Sequence, residues 1–427
     1  MLTKIFKNNY DIINILIALI PISYALGNLI LSLNTLLIVV IGIFLFKFEV
    51  FATKRKILNY LIYFFFFYII FVTIFNNIDS ISENELYKKH IIKSFLYLRY
   101  LLLFLVVAKL TETGNFNVKY LFFTSAFMSL FLAIDIIVQY SFGQDLFGIV
   151  SVDEIRRAGF FGDEFIAGGY LQIFSFFLIF SSVLFSKNRK IFVLTFLLSS
   201  ILLLSSIILT GNRMPLMLFL MGLVLFAFLE RRFRKHIITL SFIFLVISAV
   251  LINNYKPAKN FVKLYYTHSY EIVFTSMDLF NNKIDYEVKS HHLKTFNAGI
   301  DLWKQKKVFG SGLKSFRINC EFDFNKLCNT HPHNYYIELL LDIGLVGTFS
   351  MILIFLIPIV SFIKNNYISY NKNLFERITV LPFFLTTFAY AFPIKSSGSF
   401  FTTTVSTFIF LFLAILINSE KIKLNKN

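Results

Sequence analysis

The chain has 427 residues, of which 57% are hydrophobic and only 15% are charged, and its mean hydropathy is +0.72. A soluble domain of this composition would have too few polar residues to cover its surface, so the composition excludes a soluble globular protein and indicates a polytopic membrane protein. The formal net charge of +17 does not indicate nucleic-acid binding, because the Lys and Arg residues form short clusters beside apolar segments and not one basic face.

Apolar segments recur along the chain, and a helix needs about 20 apolar residues to cross a bilayer. We predict about twelve such helices, with bounds uncertain by a few residues. They lie near residues 11–27, 29–46, 57–75, 91–109, 119–140, 167–186, 191–209, 214–229, 237–252, 334–363, 378–393 and 399–418. No cleavable signal peptide is expected, since residues 1–10 lead directly into the first span without a small-residue cleavage site.

These segments predict an all-α integral membrane protein in three parts. Residues 1–252 form an N-terminal bundle of about nine helices, residues 253–333 form a loop subdomain, and residues 334–427 supply about three more helices. Residues 253–333 are too many and too polar for a simple connector. Their stretch Leu293, Phe296, Ile300 and Trp303 is spaced like one helical face, which predicts short helices resting on the membrane.

Clusters of positive charge predict the orientation of the chain. If twelve spans alternate, one side receives Lys4 and Lys7, Lys54-Arg55-Lys56, Lys187-Arg189-Lys190, Arg231-Arg232-Arg234-Lys235, Lys372-Arg377 and Lys421-Lys423-Lys426. The other side receives Asp79, Glu83 and Glu85, the loop 141–166, the turn around Arg213 and the segment 253–333. The positive-inside rule then places both termini in the cytoplasm and the loop subdomain outside it.

The chain has two cysteines, Cys320 and Cys328, and both lie in the loop subdomain. Their closeness in sequence is either chance or the sign of a disulfide, and a location outside the cytoplasm favours the disulfide. A metal site is disfavoured, because two thiols without a second pair of ligands are an incomplete set.

Arg213 follows a tight turn, Thr210-Gly211-Asn212, between two predicted spans. One interpretation is an arginine that anchors the membrane interface. The other is an anion-binding arginine, because the positive-inside rule disfavours an arginine on the outer side unless it has a task such as binding phosphate.

The stretch Thr330-His331-Pro332-His333-Asn334 ends the loop subdomain and opens the next span. Histidine accepts and releases a proton near neutral pH, so two histidines at a membrane mouth indicate acid–base chemistry. The structural alternative is a helix start, with Asn334 as N-cap, Pro332 as the stop of the loop, and both imidazoles bonded to backbone.

Two further segments carry positive charge on the same side. In residues 309–317, Gly310 and Gly312 indicate either a turn or backbone amides exposed to an anion, with Lys314 and Arg317 adding charge. No strand and no dinucleotide fingerprint flank this GxG, so it is neither a Rossmann motif nor a P-loop. In residues 156–164, Arg156 and Arg157 indicate either a loop with local salt bridges or a contact to phosphate.

The motifs described above, in the order in which they follow one another along the chain, resemble those of the O-antigen ligase and O-antigen polymerase superfamily of bacterial envelope glycosyltransferases. The resemblance covers most of the chain. It comprises many helices, a TGxR turn before a helix at 210–213, a large external loop with Trp303 before the GxG, and an HN-aromatic segment from His333 that continues to residues 342–347. It implies an all-α, GT-C-like membrane fold.

The resemblance also implies roles for individual residues. Arg213 matches the arginine that holds the lipid diphosphate, and His333 matches the histidine that acts on the acceptor hydroxyl. The family has a second arginine about eighteen residues before the GxG, where this chain has His292. His292, Lys294 or Arg317 is then expected to replace it. The complete expected set is His333 and Arg213 as catalytic residues, with His292, Arg317, His331, Lys314 and Arg157 as substrate-binding residues.

The chemistry implied by the resemblance is transfer of a glycan from a polyprenyl-diphosphate carrier to a hydroxyl of lipid A-core, on the outer, periplasmic face of the bacterial inner membrane. We expect no cofactor and no metal, because the outer side carries no acidic DxD motif. A polymerase that extends lipid-linked repeat units is the alternative within the family. A transporter or flippase of lipid-linked sugars is the alternative of another class; it is disfavoured because the predicted spans carry few charges.

Overall fold

The computed structural model describes residues 10–52, 56–78, 85–153, 156–186, 188–254, 291–320, 327–369 and 373–422. These residues are mostly helical, and within them the β contacts are limited to one antiparallel bridge between Gln144 and Val150. The structure therefore confirms an all-α fold for the part of the chain it describes. Several charged residues used to predict the orientation lie outside the described residues: Lys4, Lys7, Lys54, Arg55, Asp79, Glu83, Lys187, Lys372, Lys423 and Lys426.

The α-helices follow one another in this order: α1 (Asp11–Ala18), α2 (Ile20–Ala25), α3 (Asn28–Phe46), α4 (Lys56–Asn77), α5 (Glu85–Leu96), α6 (Leu98–Glu112), α7 (Val118–Phe142), α8 (Ala167–Ile179), α9 (Arg189–Leu209), α10 (Arg213–Leu229), α11 (Arg234–Asn254), α12 (His291–Gln305), α13 (Phe316–Asn319), α14 (Tyr335–Ile363), α15 (Leu374–Ala391) and α16 (Thr403–Leu416). Short 3-10 segments lie at Lys47–Phe51, Gly159–Phe161, Ser181–Leu184, Arg231–Phe233 and Ser419–Lys421, and a π-helical turn at Lys364–Ile368.

Seven helices of the described residues are long and apolar enough to cross a membrane: Asn28–Phe51, Ile57–Asn77, Glu85–Glu112, Val118–Phe142, Arg189–Leu209, Tyr335–Ile368 and Leu374–Ala391. The pair Arg213–Leu229 and Arg231–Val246 is bent by 114° and adds an eighth if it is one span. Shorter apolar helices cover Asp11–Ala25, Ala167–Ile179 and Thr403–Leu416. Each predicted segment thus overlaps an apolar helix, but length and composition alone give seven or eight spans and not about twelve.

Contacts along α8 show how α10 is oriented. At the start of α8, Gly168 lies so close to Asn212 that a Cβ on the glycine would be 2.7 Å from its side chain. Further along α8, Phe176 stacks on Phe219 with ring centroids 5.4 Å apart, and Phe180 meets Phe226 at 5.0 Å. The two helices therefore run side by side in the same direction and start at the same end of the bundle.

α15 packs on α8 in the opposite direction. Its Thr386 hydroxyl donates a hydrogen bond of 3.0 Å to the carbonyl of Ile173, whereas Phe383, one turn earlier, meets Phe177 with ring centroids 5.0 Å apart. α15 therefore ends at the end of the bundle where α8 and α10 begin. This end also holds the segment 393–397 and, through it, His333; we call it the histidine end.

The opposite end of the bundle collects positive charge. Arg377, at the start of α15, forms an ion pair of 2.6 Å with Glu230, at the end of α10. Phe192, at the start of α9, meets Phe233 with ring centroids 5.1 Å apart. The described members of three predicted clusters, Arg189-Lys190, Arg231-Arg232-Arg234-Lys235 and Arg377, therefore lie at this common end, away from the histidine end.

Candidate functional site

The histidine loop is held by Asn334, the N-cap of α14. The Asn334 side-chain oxygen accepts hydrogen bonds from the backbone N–H groups of Tyr336 (2.9 Å) and Ile337 (3.2 Å), which satisfies donors left free at the start of a helix. Its amide nitrogen donates to the carbonyls of Pro393 (2.9 Å) and Lys395 (3.0 Å). The predicted N-cap is therefore present, and the same side chain also ties the histidine loop to the segment after α15.

Three histidine rings meet beside this cap. The ring centroids of His331 and His333 are 4.2 Å apart, and those of His292 and His333 are 5.4 Å apart. His333 has a φ of +54°, a conformation that few residues other than glycine adopt and that recurs at functional sites. Its carbonyl accepts a hydrogen bond of 2.8 Å from the backbone N–H of Ser397. The structure thus brings His292, at the start of α12, to the predicted base.

Side chains, and not only backbone, contact these rings. Nε2 of His333 lies 3.1 Å from the amide nitrogen of Asn329, and Nδ1 of His331 lies 2.9 Å from the hydroxyl of Thr330. Nδ1 of His292 lies 3.3 Å from the hydroxyl of Ser396. Because an amide N–H can only donate, the contact to Asn329 requires Nε2 of a neutral His333 to be the acceptor.

Burial keeps the histidine pair neutral. Burial lowers the pKa of His331 to about 4, and the charges of His333 and Lys314 add to the effect, while the backbone of Ser397 opposes it. Burial also lowers the pKa of His333, again against the backbone of Ser397. Both imidazoles are therefore in the neutral, basic form at neutral pH, as a general base must be. Since neighbouring charges act on His331 as well, it is the harder of the two to protonate.

Lys395 is a buried lysine beneath the histidine loop, and no sequence pattern singled it out. Its ammonium donates to the carbonyls of Ala389 (2.8 Å) and Tyr390 (3.0 Å), at the end of α15, and lies 4.4 Å from the ring centroid of Tyr335. Burial lowers the pKa of Lys395 to about 7. Lys395 therefore closes the C-terminus of α15, where a positive charge is favourable.

A cluster of positive charge adjoins the histidines on the side of α5. Lys314 and Arg317 both lie within electrostatic range of Lys93 and His90 on α5. Lys314 also acts on His331, so it links this cluster to the histidine rings. We call Lys93, Lys314 and Arg317 the cationic cluster. The structure thus joins Lys314 and Arg317, both predicted from the sequence, with Lys93, which was not predicted.

The GxG loop is a structural turn, and the alternative of an anion-binding backbone is wrong. The N–H groups of Ser311 and Gly312 donate to the carbonyls of Leu341 (2.9 Å) and Asp342 (2.8 Å) in α14. The next N–H, of Leu313, donates to the Thr73 hydroxyl (3.0 Å). These amides are consumed inside the protein and cannot also hold a phosphate.

Asp342 fixes the rest of this loop. Its carboxylate accepts hydrogen bonds from the backbone N–H groups of Lys314 (2.7 Å) and Ser315 (3.0 Å) and from the Ser315 hydroxyl (2.8 Å). One turn earlier, the buried Glu338 accepts from the Ser399 hydroxyl and from the backbone N–H of Phe400, each at 2.6 Å. Of the few charged residues in the predicted spans, α14 carries two buried ones, Glu338 and Asp342, and uses them to hold the loops at the histidine end.

α14 is broken at Gly344, and the loop before α13 occupies the break. Gly344 has a φ of +63°, and a Cβ there would collide with the carbonyl of Val308. Beyond the break, the N–H groups of Leu345 and Val346 donate to the carbonyls of Lys307 (2.9 Å) and Val308 (3.3 Å). The loop thus supplies the partners that a continuous helix would have supplied, and this fixes Lys314 relative to α14.

Arg213 begins α10 at the histidine end. The turn before it is held by a 3.0 Å hydrogen bond from the Asn212 amide to the carbonyl of Phe165. A Cβ on Gly211 would be 2.8 Å from the side chain of Arg156. Arg213 therefore lies on the side of the bundle formed by α8 and α10, whereas the histidine rings lie over α12 and α14.

Arg157 also packs against this turn. Its backbone N–H donates to Leu209 (3.0 Å), and its guanidinium donates to the carbonyl of Asp153 (2.7 Å). Arg156 lies 3.9 Å from the carboxylate of Asp153. These contacts agree with the interpretation of a locally bonded loop, in which Arg157 supports the Arg213 turn.

Cys320 and Cys328 form a disulfide in the structure, with Cα atoms 5.6 Å apart. Cys320 directly follows α13, and Cys328 directly precedes Asn329, the contact of His333. The disulfide therefore joins the two parts of the loop subdomain that carry Arg317 and the histidines.

The segment that carries Arg213 and the histidine loop is similar to a known family. Residues 198–352 match the family model described as O-antigen ligase, and no curated protein matches the chain in sequence. The matched residues run from α9 through α10 and the loop subdomain into α14, and they include Arg213, Lys314, His331 and His333. This match confirms the resemblance of the chain to the O-antigen ligase and O-antigen polymerase superfamily, whose members are glycosyltransferase-like membrane enzymes.

Proposed function

We propose that this protein is an O-antigen ligase-like glycosyltransferase that moves a glycan from a polyprenyl-diphosphate carrier to a hydroxyl of lipid A-core. The observation that carries the proposal is the histidine cluster in the segment that matches the family: neutral His333 lies beside His292 and His331, and His331 is within electrostatic reach of Lys314. A base beside a cluster of cations is what transfer from a diphosphate requires.

The reaction is a single displacement at the anomeric carbon. The acceptor hydroxyl oxygen forms a bond to that carbon while the carbon–oxygen bond to the diphosphate breaks. The hydroxyl proton passes to Nε2 of His333, which is neutral because burial lowers its pKa; the acceptor hydroxyl takes the place of the Asn329 amide as the donor to this nitrogen. The bonding electrons leave with the polyprenyl diphosphate, whose negative charge Arg213 and the cationic cluster stabilise. Because side chains supply this charge, we propose that the transfer needs no metal.

The second positive charge is assigned to the cationic cluster and not to His292. The ring of His292 lies 5.4 Å from that of His333, so this side chain is a neighbour of the base. Lys314 and Arg317 both lie within electrostatic range of Lys93, and a bound anion would relieve the repulsion that they exert on it. We therefore assign diphosphate binding to Arg213 on one side and to this cluster on the other.

The proposed orientation has twelve alternating apolar segments, both termini in the cytoplasm and the histidine end in the periplasm. Two observations support it. α8 and α10 run in the same direction and α15 runs in the opposite one, as the sixth, eighth and eleventh of twelve alternating segments must, and the basic clusters gather at the end opposite the histidines. A reporter inserted between residues 270 and 320 should be active only outside the cytoplasm. Cytoplasmic activity of that fusion would contradict the orientation.

Substitution of the two proposed catalytic residues tests the function. His333→Ala and Arg213→Ala should each lower the transfer rate at least a hundredfold in a purified reaction with lipid-linked glycan and lipid A-core, since a positioned base alone contributes about 10²–10⁴. His236→Ala and Arg232→Ala remove the same residue types from the opposite end of the bundle and should retain activity. Full activity of stably inserted His333→Ala and Arg213→Ala proteins would refute the assignment.

A deletion strain separates a ligase from a polymerase. Loss of a ligase leaves polymerised glycan on the lipid carrier and none on lipid A-core. Loss of a polymerase instead leaves single repeat units attached to lipid A-core, and that pattern would overturn the ligase assignment.

A further inference from the structure

A polar cavity lies between the loop subdomain and α5, and none of the histidine rings lines it. Its volume is about 480 Å³, and α12, α13 and α5 enclose it together with the GxG loop. Its polar lining consists of Tyr87, Asp301, Gln305, Lys306, Ser311 and Asn319. None of these residues takes part in the chemistry assigned to His333, Arg213 or the cationic cluster.

The chemistry of the lining suits a neutral sugar. Each sugar hydroxyl both donates and accepts hydrogen bonds, and the amides of Gln305 and Asn319 offer both functions. The carboxylate of Asp301 adds acceptors, and the ammonium of Lys306 adds donors. Tyr87 adds an aromatic surface with a polar tip, which can pack against the C–H face of a sugar ring. The carboxylate of Asp301 is ion-paired with Lys304 at 3.0 Å, and the ammonium of Lys306 donates a hydrogen bond of 2.6 Å to Asn76. Both charged groups are thus already engaged within the protein, and the two amides favour a neutral occupant.

The position of the cavity relates it to the proposed reaction. α13 separates the cavity from the cationic cluster: Asn319 faces the cavity, while Arg317, two residues earlier, interacts with Lys93. α12 carries His292 at its start and Asp301 nine residues later, about 14 Å along the helix axis at 1.5 Å per residue. The cavity is thus adjacent to the proposed diphosphate site and too far from the base to hold the reacting sugar.

We propose that this cavity binds a distal sugar of the donor glycan, so that it selects the glycan to be transferred without taking part in bond formation. This proposal rests on the proposed function. Binding at a remote site supplies energy and specificity that the reacting centre can use. A glycan fixed by its diphosphate at Lys314 and Arg317 would pass over α13 and place a later sugar between Gln305 and Asn319.

The test compares two donors with the same polyprenyl diphosphate, one carrying the complete repeat unit and one carrying a single sugar. The variant Gln305→Ala/Asn319→Ala removes two exposed amides and should lower kcat/KM for the complete donor roughly tenfold, while kcat/KM for the single-sugar donor stays unchanged. Gln144→Ala removes an exposed amide from the loop after α7, outside the cavity, and should affect neither donor. Equal effects on both donors, or none on either, would overturn the proposal.

A binding measurement separates this proposal from the catalytic one. The probe is the free oligosaccharide released from the lipid carrier by mild acid, and its binding to the detergent-solubilised protein is followed by saturation-transfer NMR. Binding should persist in His333→Ala and be lost in Gln305→Ala/Asn319→Ala. If the double variant still binds the oligosaccharide, the cavity assignment is refuted. If only the double variant loses binding and His333→Ala keeps full transfer activity, the catalytic assignment alone is refuted.

Discussion

Gly310→Ala should be one of the most damaging small substitutions in the loop subdomain. Gly310 has a φ of +81°, and a Cβ there would be 2.5 Å from the backbone nitrogen of Gly344 and 2.6 Å from the backbone of Asp342. Those atoms belong to the break in α14 and cannot rotate away as a flexible side chain would. The left-handed conformation costs alanine about 1–2 kcal/mol, and overpacking adds about 1–3 kcal/mol.

Gly148→Ala is the matched control. Gly148 has a φ of +82°, but a Cβ there would have no atom within 4 Å, so this variant carries the conformational cost alone. Thermal unfolding in detergent should show a loss of about 2–5 kcal/mol for Gly310→Ala and about 1–2 kcal/mol for Gly148→Ala. Only the first should also lose glycan transfer, because the loop would carry Lys314 away from the histidines. Equal losses of stability would show that the contact with the break contributes nothing.

Three further outcomes are expected. Because burial lowers the pKa of His333 below its usual 6.5, its base form persists as the medium is acidified, and the transfer rate should fall only below pH 6.5; an acid limb above pH 6.5 would contradict the assignment. In the variant Asp342→Asn, the amide cannot accept all three hydrogen bonds of the loop, so the free energy of unfolding should fall by about 1–3 kcal/mol. The thermal midpoint should be lower than that of the wild type, and an unchanged midpoint would contradict this role of Asp342. Cys320→Ser/Cys328→Ser should lose about 2.5 kcal/mol, as expected for a short closed loop, and reductant should destabilise the wild type but not the variant; equal sensitivity to reductant would argue against the disulfide.

Charge and hydropathy predicted the membrane helices and the grouping of basic residues well, because the bilayer imposes both patterns directly. Arg213 and His333, far apart in sequence, indeed lie at one end of the bundle. The number of spans was less predictable. The helices α8 and α16 are apolar but too short to cross a bilayer on their own, and α10 and α11 meet at a sharp bend.

The loop contacts could not be read from the sequence. Residues 342–347 continue an apolar span, so nothing in the pattern distinguishes a helix broken at Gly344 from an intact one. One available signal was missed: Glu338 and Asp342 lie four residues apart in an apolar helix, on one face, and such carboxylates need partners. Lys395 gave no comparable signal, because its contacts depend on where α15 ends.

The break in α14 has a consequence for how this protein is made. The break leaves four main-chain groups of α14 without partners in the helix: the carbonyls of Leu341 and Asp342 and the N–H groups of Leu345 and Val346. In lipid, each unpaired group would cost several kcal/mol. Here the partners are residues 307–312, which the ribosome synthesises before α14. α14 therefore cannot complete its backbone pairing alone: the break and the loop are stable in the bilayer only together, and the loop that α14 needs has already been synthesised when α14 emerges.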